Sequence, residues 1–126
     1  MKRKHRLSRS RDFDAVYRHG RSVSSRYLVL YAFPRSDDEP GMEDEPRLGL
    51  AVPRLVGGAV ERNRVKRRLR AAFDEVRAEV LPGHDYVLIV RPGFAETAES
   101  RGFPWLLERV REVFGQVRPS REAARP

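Results

Sequence analysis

Six cations fall within nine residues, at Arg62, Arg64, Lys66, Arg67, Arg68 and Arg70, and only Asn63, Val65 and Leu69 interrupt them. Guanidinium and ammonium groups at this density suit a fixed array of phosphates, with arginine able to grip each phosphate through two donors. Advancing about 100° per residue brings Val65, Leu69, Ala72, Phe73, Val76 and Val80 onto one stripe and spreads the cations over the remaining circumference. A helix with that pattern buries one side and displays charge on the rest. Cations crowded on one helix without interleaved acids repel one another, so a polyanionic partner accounts for them better than a solvated face does.

Chemistry that breaks bonds is harder to find. His5, His19 and His84 are far apart and none stands at metal spacing with another histidine or a carboxylate on an expected helix, so no metal site is assigned. No glycine-rich phosphate loop, Walker pattern or nucleophile elbow occurs, and no catalytic residue is assigned. Asp74, Glu75 and Glu79 sit where pairing with nearby arginines is the expected role, and Asp85, beside His84, reads as a turn residue. What remains is phosphate contact by Arg and Lys, with aromatic side chains that could stack on bases.

The chain has 126 residues, the size of one domain with one modest core. Lys plus Arg number 26 against 18 Asp plus Glu, a formal net charge of +8, which again favours a polyanion. The absence of cysteine excludes disulfides, thiolate metal sites and a cysteine nucleophile, and agrees with a reducing cytoplasm. No apolar run is long enough for a signal peptide or a membrane span, so a cytoplasmic protein is expected, without a membrane partner.

The elements that must carry these residues follow in order. Residues 1–9 hold Lys2, Arg3, Lys4, Arg6 and Arg9 around a single apolar Leu7 and read as a flexible basic arm. Ser10 is the expected N-cap of a short helix with Phe13, Val16 and Tyr17 at i, i+3, i+4, and Gly20 its left-handed stop. Tyr27 to Phe33 reads as a strand with Leu28 and Leu30 on one face and Tyr27, Val29, Tyr31 and Phe33 on the other. Residues 34–46 carry six acids against Arg35 alone, with three prolines, and read as a disordered acidic loop that leaves the rest of the chain more basic than its total.

Arg47 to Arg54 alternates Leu48, Leu50 and Val52 with Gly49, Ala51 and Pro53, a strand with one core face and one nearly bare face open to a helix or a ligand. Gly57-Gly58 leads into the basic helix, expected to run to about Leu81 and to stop at Pro82-Gly83. His84 to Pro92 holds the unbroken apolar run of an interior strand, a candidate parallel partner for an earlier strand after so long a helix. Gly93 to Gly102 reads as a polar connection. Phe103, Leu106, Val110, Val113 and Phe114 then form a last amphipathic helix, docked with help from Trp105 and Leu107, and residues 116–126 read as a flexible tail. The expected domain therefore spans 10–115: an α+β fold with one small sheet and three helices.

Set in this order, the residues resemble the bacterial ribonuclease P protein subunit from about Arg6 to Phe114. The most specific part is Arg62-Asn63-Arg64-Val65-Lys66-Arg67-Arg68-Leu69-Arg70, similar to that family's RNR signature. Phe13, Val16, Tyr17, Arg18, His19 and Gly20 support it, as do Leu30-Tyr31 and Arg47-Leu48-Gly49-Leu50-Ala51-Val52. The loop Pro53-Arg54-Leu55-Val56 is less basic than the resemblance calls for, and the acidic loop is longer.

The resemblance implies three helices on a four-stranded sheet in the order α-β-β-β-α-β-α, like the second domain of a ribosomal small-subunit protein, with a left-handed crossover where general chirality favours the right-handed one. It implies that a partner RNA with its Mg2+ ions cleaves the 5′ leader from precursor tRNA, with no DNA partner and one protein per RNA. By matching position, Arg62, Asn63, Arg64, Lys66, Arg67 and Arg70 would contact the catalytic RNA, while Phe13, Tyr17, Val29 and Tyr31 would line a leader groove. The residues alone leave two other readings open: a structural RNA-binding protein of the ribosomal type and a self-sufficient nuclease.

Overall fold

In a computed structural model that describes residues 1–2, 5–35 and 45–117, the chain forms one four-stranded sheet with helices on both faces. The elements are α1 (Ser10–His19), β1 (Arg21–Ser24), β2 (Leu28–Pro34), β3 (Arg47–Ala51), α2 (Ala59–Val76), β4 (His84–Val90), α3 (Phe94–Arg101) and α4 (Phe103–Gly115). Strand order is β1-β2-β4-β3, with β1-β2 and β2-β4 antiparallel and β3-β4 parallel. Two neighbouring parallel strands cannot be joined by a hairpin, and α2 is the crossover between them.

Both central strands are apolar on two faces because both faces are covered. Leu28, Leu30 and Ala32 of β2 and Tyr86, Leu88 and Val90 of β4 point into the main core with Val65, Leu69, Ala72, Phe73 and Val76 of α2 and Leu106, Val110, Val113 and Phe114 of α4. From Val65 to Val76 the stripe expected on α2 is buried, while Val80 lies beyond the helix and is only partly buried; each fully buried Val, Leu or Phe of this kind contributes roughly 1.5–3 kcal/mol. On the other face Val16 of α1 packs with Leu7 and Val87, flanked by Phe13, Tyr31, Phe33 and Ile89. The bare face of β3 receives a helix: a Cβ on Gly49 would lie 2.5 Å from the Phe13 ring, so only glycine lets α1 settle there.

Several expectations change. The described residues form four α-helices, because Phe94 and Ala98 within the expected polar connection are one helical turn apart and both buried, which anchors α3. Gly20 is extended (φ −79°, ψ 162°), and Arg9, not Ser10, occupies the cap position of α1. Glycine is still required at position 20, since a Cβ would stand 2.5 Å from the Val16 carbonyl oxygen. The α2 helix ends at Val76, and residues Arg77–Glu79 tighten into a 3-10 turn before Pro82, which cannot continue a helix.

Tyr27 lies outside β2 and turns to the main core, with ring centroids 5.2 Å from Trp105 and 6.3 Å from Phe94, while Phe103 is exposed. The basic arm is docked at its inner end. His5 and Leu7 are buried, and the Leu7 amide donates to the Leu48 carbonyl at 2.9 Å beside β3. Most of the acidic loop, at 36–44, and most of the tail, at 118–126, lie outside the described residues. Val117, within the expected tail, is buried in the main core.

Asp85 is no turn residue. It is buried in β4 with two arginines, Arg47 through paired contacts of 2.8 Å and Arg35 at 3.0 Å. Arg35 also donates to the carbonyls of His84 (3.1 Å) and Glu45 (2.6 Å), so this cluster pins both ends of the acidic loop to the sheet.

Tyr86 supplies a test of the main core. Its hydroxyl accepts from the Leu81 amide at 3.0 Å, and burial pushes its pKa up to about 12, opposed by that hydrogen bond and by Arg21. A phenol whose folded pKa exceeds its unfolded value of about 10 keeps its full contribution below pH 10 and loses it as pH rises towards 12. Tyr86→Phe should therefore show a smaller stability loss than the parent chain between pH 10 and pH 12 in chemical unfolding, by about 3 kcal/mol at most.

Candidate nucleic-acid interface

The cations of α2 divide between two sides of the helix. Asn63, Arg67 and Arg70 face a concavity of about 490 Å³ that Arg6 of the docked arm also lines. Among the described residues neither Arg67 nor Arg70 is ion-paired. Burial, and next the charge of Arg6, lowers the pKa of the Arg70 guanidinium from its ordinary value. Two guanidinium groups held together without an anion make this the electrostatically strained side of the helix. Asp74 at its rim is already engaged by Arg77 at 2.9 Å.

On the side towards α3 the situation differs. Arg64 and Arg68 both reach the same Glu99 carboxylate oxygen, at 2.9 and 3.4 Å. Their hydrogen bonds and charges, Arg64 first, hold the Glu99 carboxyl below its usual range. Arg62 and Lys66 are half-buried, and the Arg62 Nε is fully enclosed with no hydrogen-bond partner among the described residues. The absence of interleaved acids in the helix sequence is thus corrected in space on one side only.

α2 enters this arrangement rigidly. The Gly58 amide donates to the Glu61 side chain at 3.0 Å, which satisfies one of the otherwise unpaired amides where the helix begins. From there the buried stripe of Val65 to Val76 fixes the azimuth of every cation.

The aromatic residues meet on the opposite face of the sheet. Tyr17 approaches Tyr31 edge to face at 5.1 Å and Phe13 at 6.4 Å, and His19 stands 6.1 Å from Phe33. Tyr17 is 40% exposed, and its hydroxyl is raised above the ordinary pKa by desolvation and then by Tyr31. Val29 lies on the same face of β2, opposite Ile89 of β4. Phe13, Tyr17 and Tyr31 are therefore brought together between α1 and the sheet, and Val29 extends the surface along the strand.

Phe33, Ile89 and Arg6 belong to these surfaces and were not among the site residues expected from sequence. Phe33 shares the strand parity of Val29 and Tyr31. Ile89 needs the β2-β4 register, and Arg6 needs the docking of the arm. Among the described residues no group of three His, Asp or Glu could hold a metal ion, and no helix is long and apolar enough to cross a membrane.

Fold and surface together define a small basic α+β protein of the ribonucleoprotein kind, with a cationic helix against one face of its sheet and a cluster of aromatic side chains on the other. The Ribonuclease P family model matches residues 1–118. The ribonuclease P protein component of Geobacillus thermodenitrificans is 37% identical over 115 residues, 91% of each chain, and that of Shouchella clausii 44% identical over 91 residues, 72% of this chain and 70% of the relative. Among solved structures, the RNase P protein from Thermotoga maritima superposes with a TM-score of 0.78 at 30% identity, over 90% of this chain and 98% of that one. The chain belongs to the bacterial ribonuclease P protein family, the protein components of an RNA-containing tRNA-processing endonuclease.

Proposed function

We propose that this chain is the ribonuclease P protein subunit that binds the catalytic RNA through α2 and the 5′ leader of precursor tRNA through the groove beside α1. Arg62, Asn63, Arg64, Lys66, Arg67 and Arg70 are assigned to the catalytic RNA, and Phe13, Tyr17, Val29 and Tyr31 to the leader. The observation that carries this reading is the placement of the cationic helix and of the clustered aromatic side chains on opposite faces of one sheet, a separation that would let one small body hold two nucleic acids at once. Hydrolysis then falls to the RNA and its Mg2+ ions, and the protein's contribution is to position a strand and neutralise phosphates. One copy per RNA, acting in the cytoplasm where precursor tRNA is made, completes the proposal.

The test is cleavage of precursor tRNA at limiting Mg2+ by purified chain alone, by a bacterial ribonuclease P RNA alone, and by both. Strong stimulation only in the combined reaction is expected. Cleavage by the protein alone would make it a self-sufficient nuclease, and RNA binding without stimulation would leave a structural RNA-binding protein.

A further inference from the structure

We propose that Glu99 on α3 selects which side of the motif helix meets the RNA, by occupying Arg64 and Arg68 while leaving Arg67, Arg70 and Arg6 open to phosphate. The inference rests on the proposed function and ranks its cations. Arg64 and Arg68 are one helical turn apart, and a single Glu99 oxygen bridges their Nη1 atoms at 2.9 and 3.4 Å, the position a phosphate oxygen would take. The recess they line, about 320 Å³, is also bordered by Glu61 and Glu96, so a phosphate arriving there meets three carboxylates for two guanidinium groups. Like charges so placed raise the cost of that approach without blocking it sterically.

The other side of the helix has the reverse balance. Arg6, Arg67 and Arg70 line its concavity with Asn63, and its one carboxylate, Asp74, already holds Arg77 at 2.9 Å. RNA is therefore steered to the side away from α3. A uniformly basic helix could rotate or slide on a phosphate lattice, because every azimuth offers an equivalent contact. Screening one side removes that degeneracy and fixes the orientation of the whole domain, including the aromatic groove on the far face of the sheet.

Glu99 is exposed, so its substitution leaves the core intact. Affinity of the full chain for ribonuclease P RNA, measured across a potassium chloride series, reads the outcome. Arg67→Ala with Arg70→Ala should weaken binding at least tenfold at low salt and flatten the salt dependence by about two contacts. Arg64→Ala with Arg68→Ala should weaken binding at least about threefold less than the Arg67/Arg70 pair does. Glu99→Gln should tighten binding about threefold or more and steepen the salt dependence, and adding Arg64→Ala and Arg68→Ala to it should abolish that gain. If Glu99→Gln leaves affinity unchanged or weakens it, or if the Arg64/Arg68 pair costs as much as the Arg67/Arg70 pair, the selection by Glu99 is overturned. If the Arg67/Arg70 pair costs nothing, the assignment of α2 to RNA fails first.

Discussion

Replacing Asp85 by asparagine should lower folding stability by about 3–5 kcal/mol, read from chemical unfolding at neutral pH. The substitution keeps the shape of the side chain and removes the carboxylate that Arg35 and Arg47, both largely buried, share, while Arg47 keeps Asp12 at 3.8 Å. Arg35 retains the carbonyls of His84 and Glu45, which cannot neutralise a guanidinium. Against a stability of about 5–15 kcal/mol for a domain of this size, the loss is a large fraction of the whole. Removing Arg47 as well, as Asp85→Asn with Arg47→Met, should recover part of it, because one of the two buried cations that lose the Asp85 carboxylate goes with it. A loss below about 1 kcal/mol for Asp85→Asn would show that water reaches the cluster and screens it.

Tyr31→Ala should reduce affinity for precursor tRNA roughly 5- to 150-fold in the reconstituted ribonucleoprotein, with little change for mature tRNA. The range corresponds to about 1–3 kcal/mol for one base stacked on one ring. Tyr31 is half-buried under Tyr17, so truncation both removes a stacking face and loosens its edge-to-face partner. Tyr31→Phe keeps the ring and should retain most of the affinity, which separates stacking from hydrogen bonding by the hydroxyl. Equal losses for precursor and mature tRNA would place the effect on the fold and remove Tyr31 from the leader surface.

How far the sequence reaches depends on whether a property is local. The stripe from Val65 to Val76 repeats over several helical turns and the apolar run of β4 is unbroken, and both appear as expected. The bare face of β3 was also legible, although only the fold shows that Phe13 fills it. What escaped was short or long-range. Two apolar residues, Phe94 and Ala98, hold α3, too few for a periodic signal. Asp85 looked like a turn residue because its two arginines are 38 and 50 positions away. Glu99 belongs to the motif helix in space and to an unremarkable polar stretch in sequence. The family pattern names the cations, and it takes the tertiary fold to show which of them already have a carboxylate.

The docking of Leu7 beside Leu48 bears on how these molecules treat one another. β3 is an outer strand, and an outer strand with free amides and carbonyls invites a second chain to add to the sheet. The inner arm lies along that border, spending the Leu48 carbonyl on the Leu7 amide at 2.9 Å. The opposite border, β1, is four residues long and reads Arg-Ser-Val-Ser, too short and too polar to template another strand. Both flanks of the sheet are thus discouraged from pairing with a second chain. A sheet blunted at both borders offers a second copy no ready strand to extend.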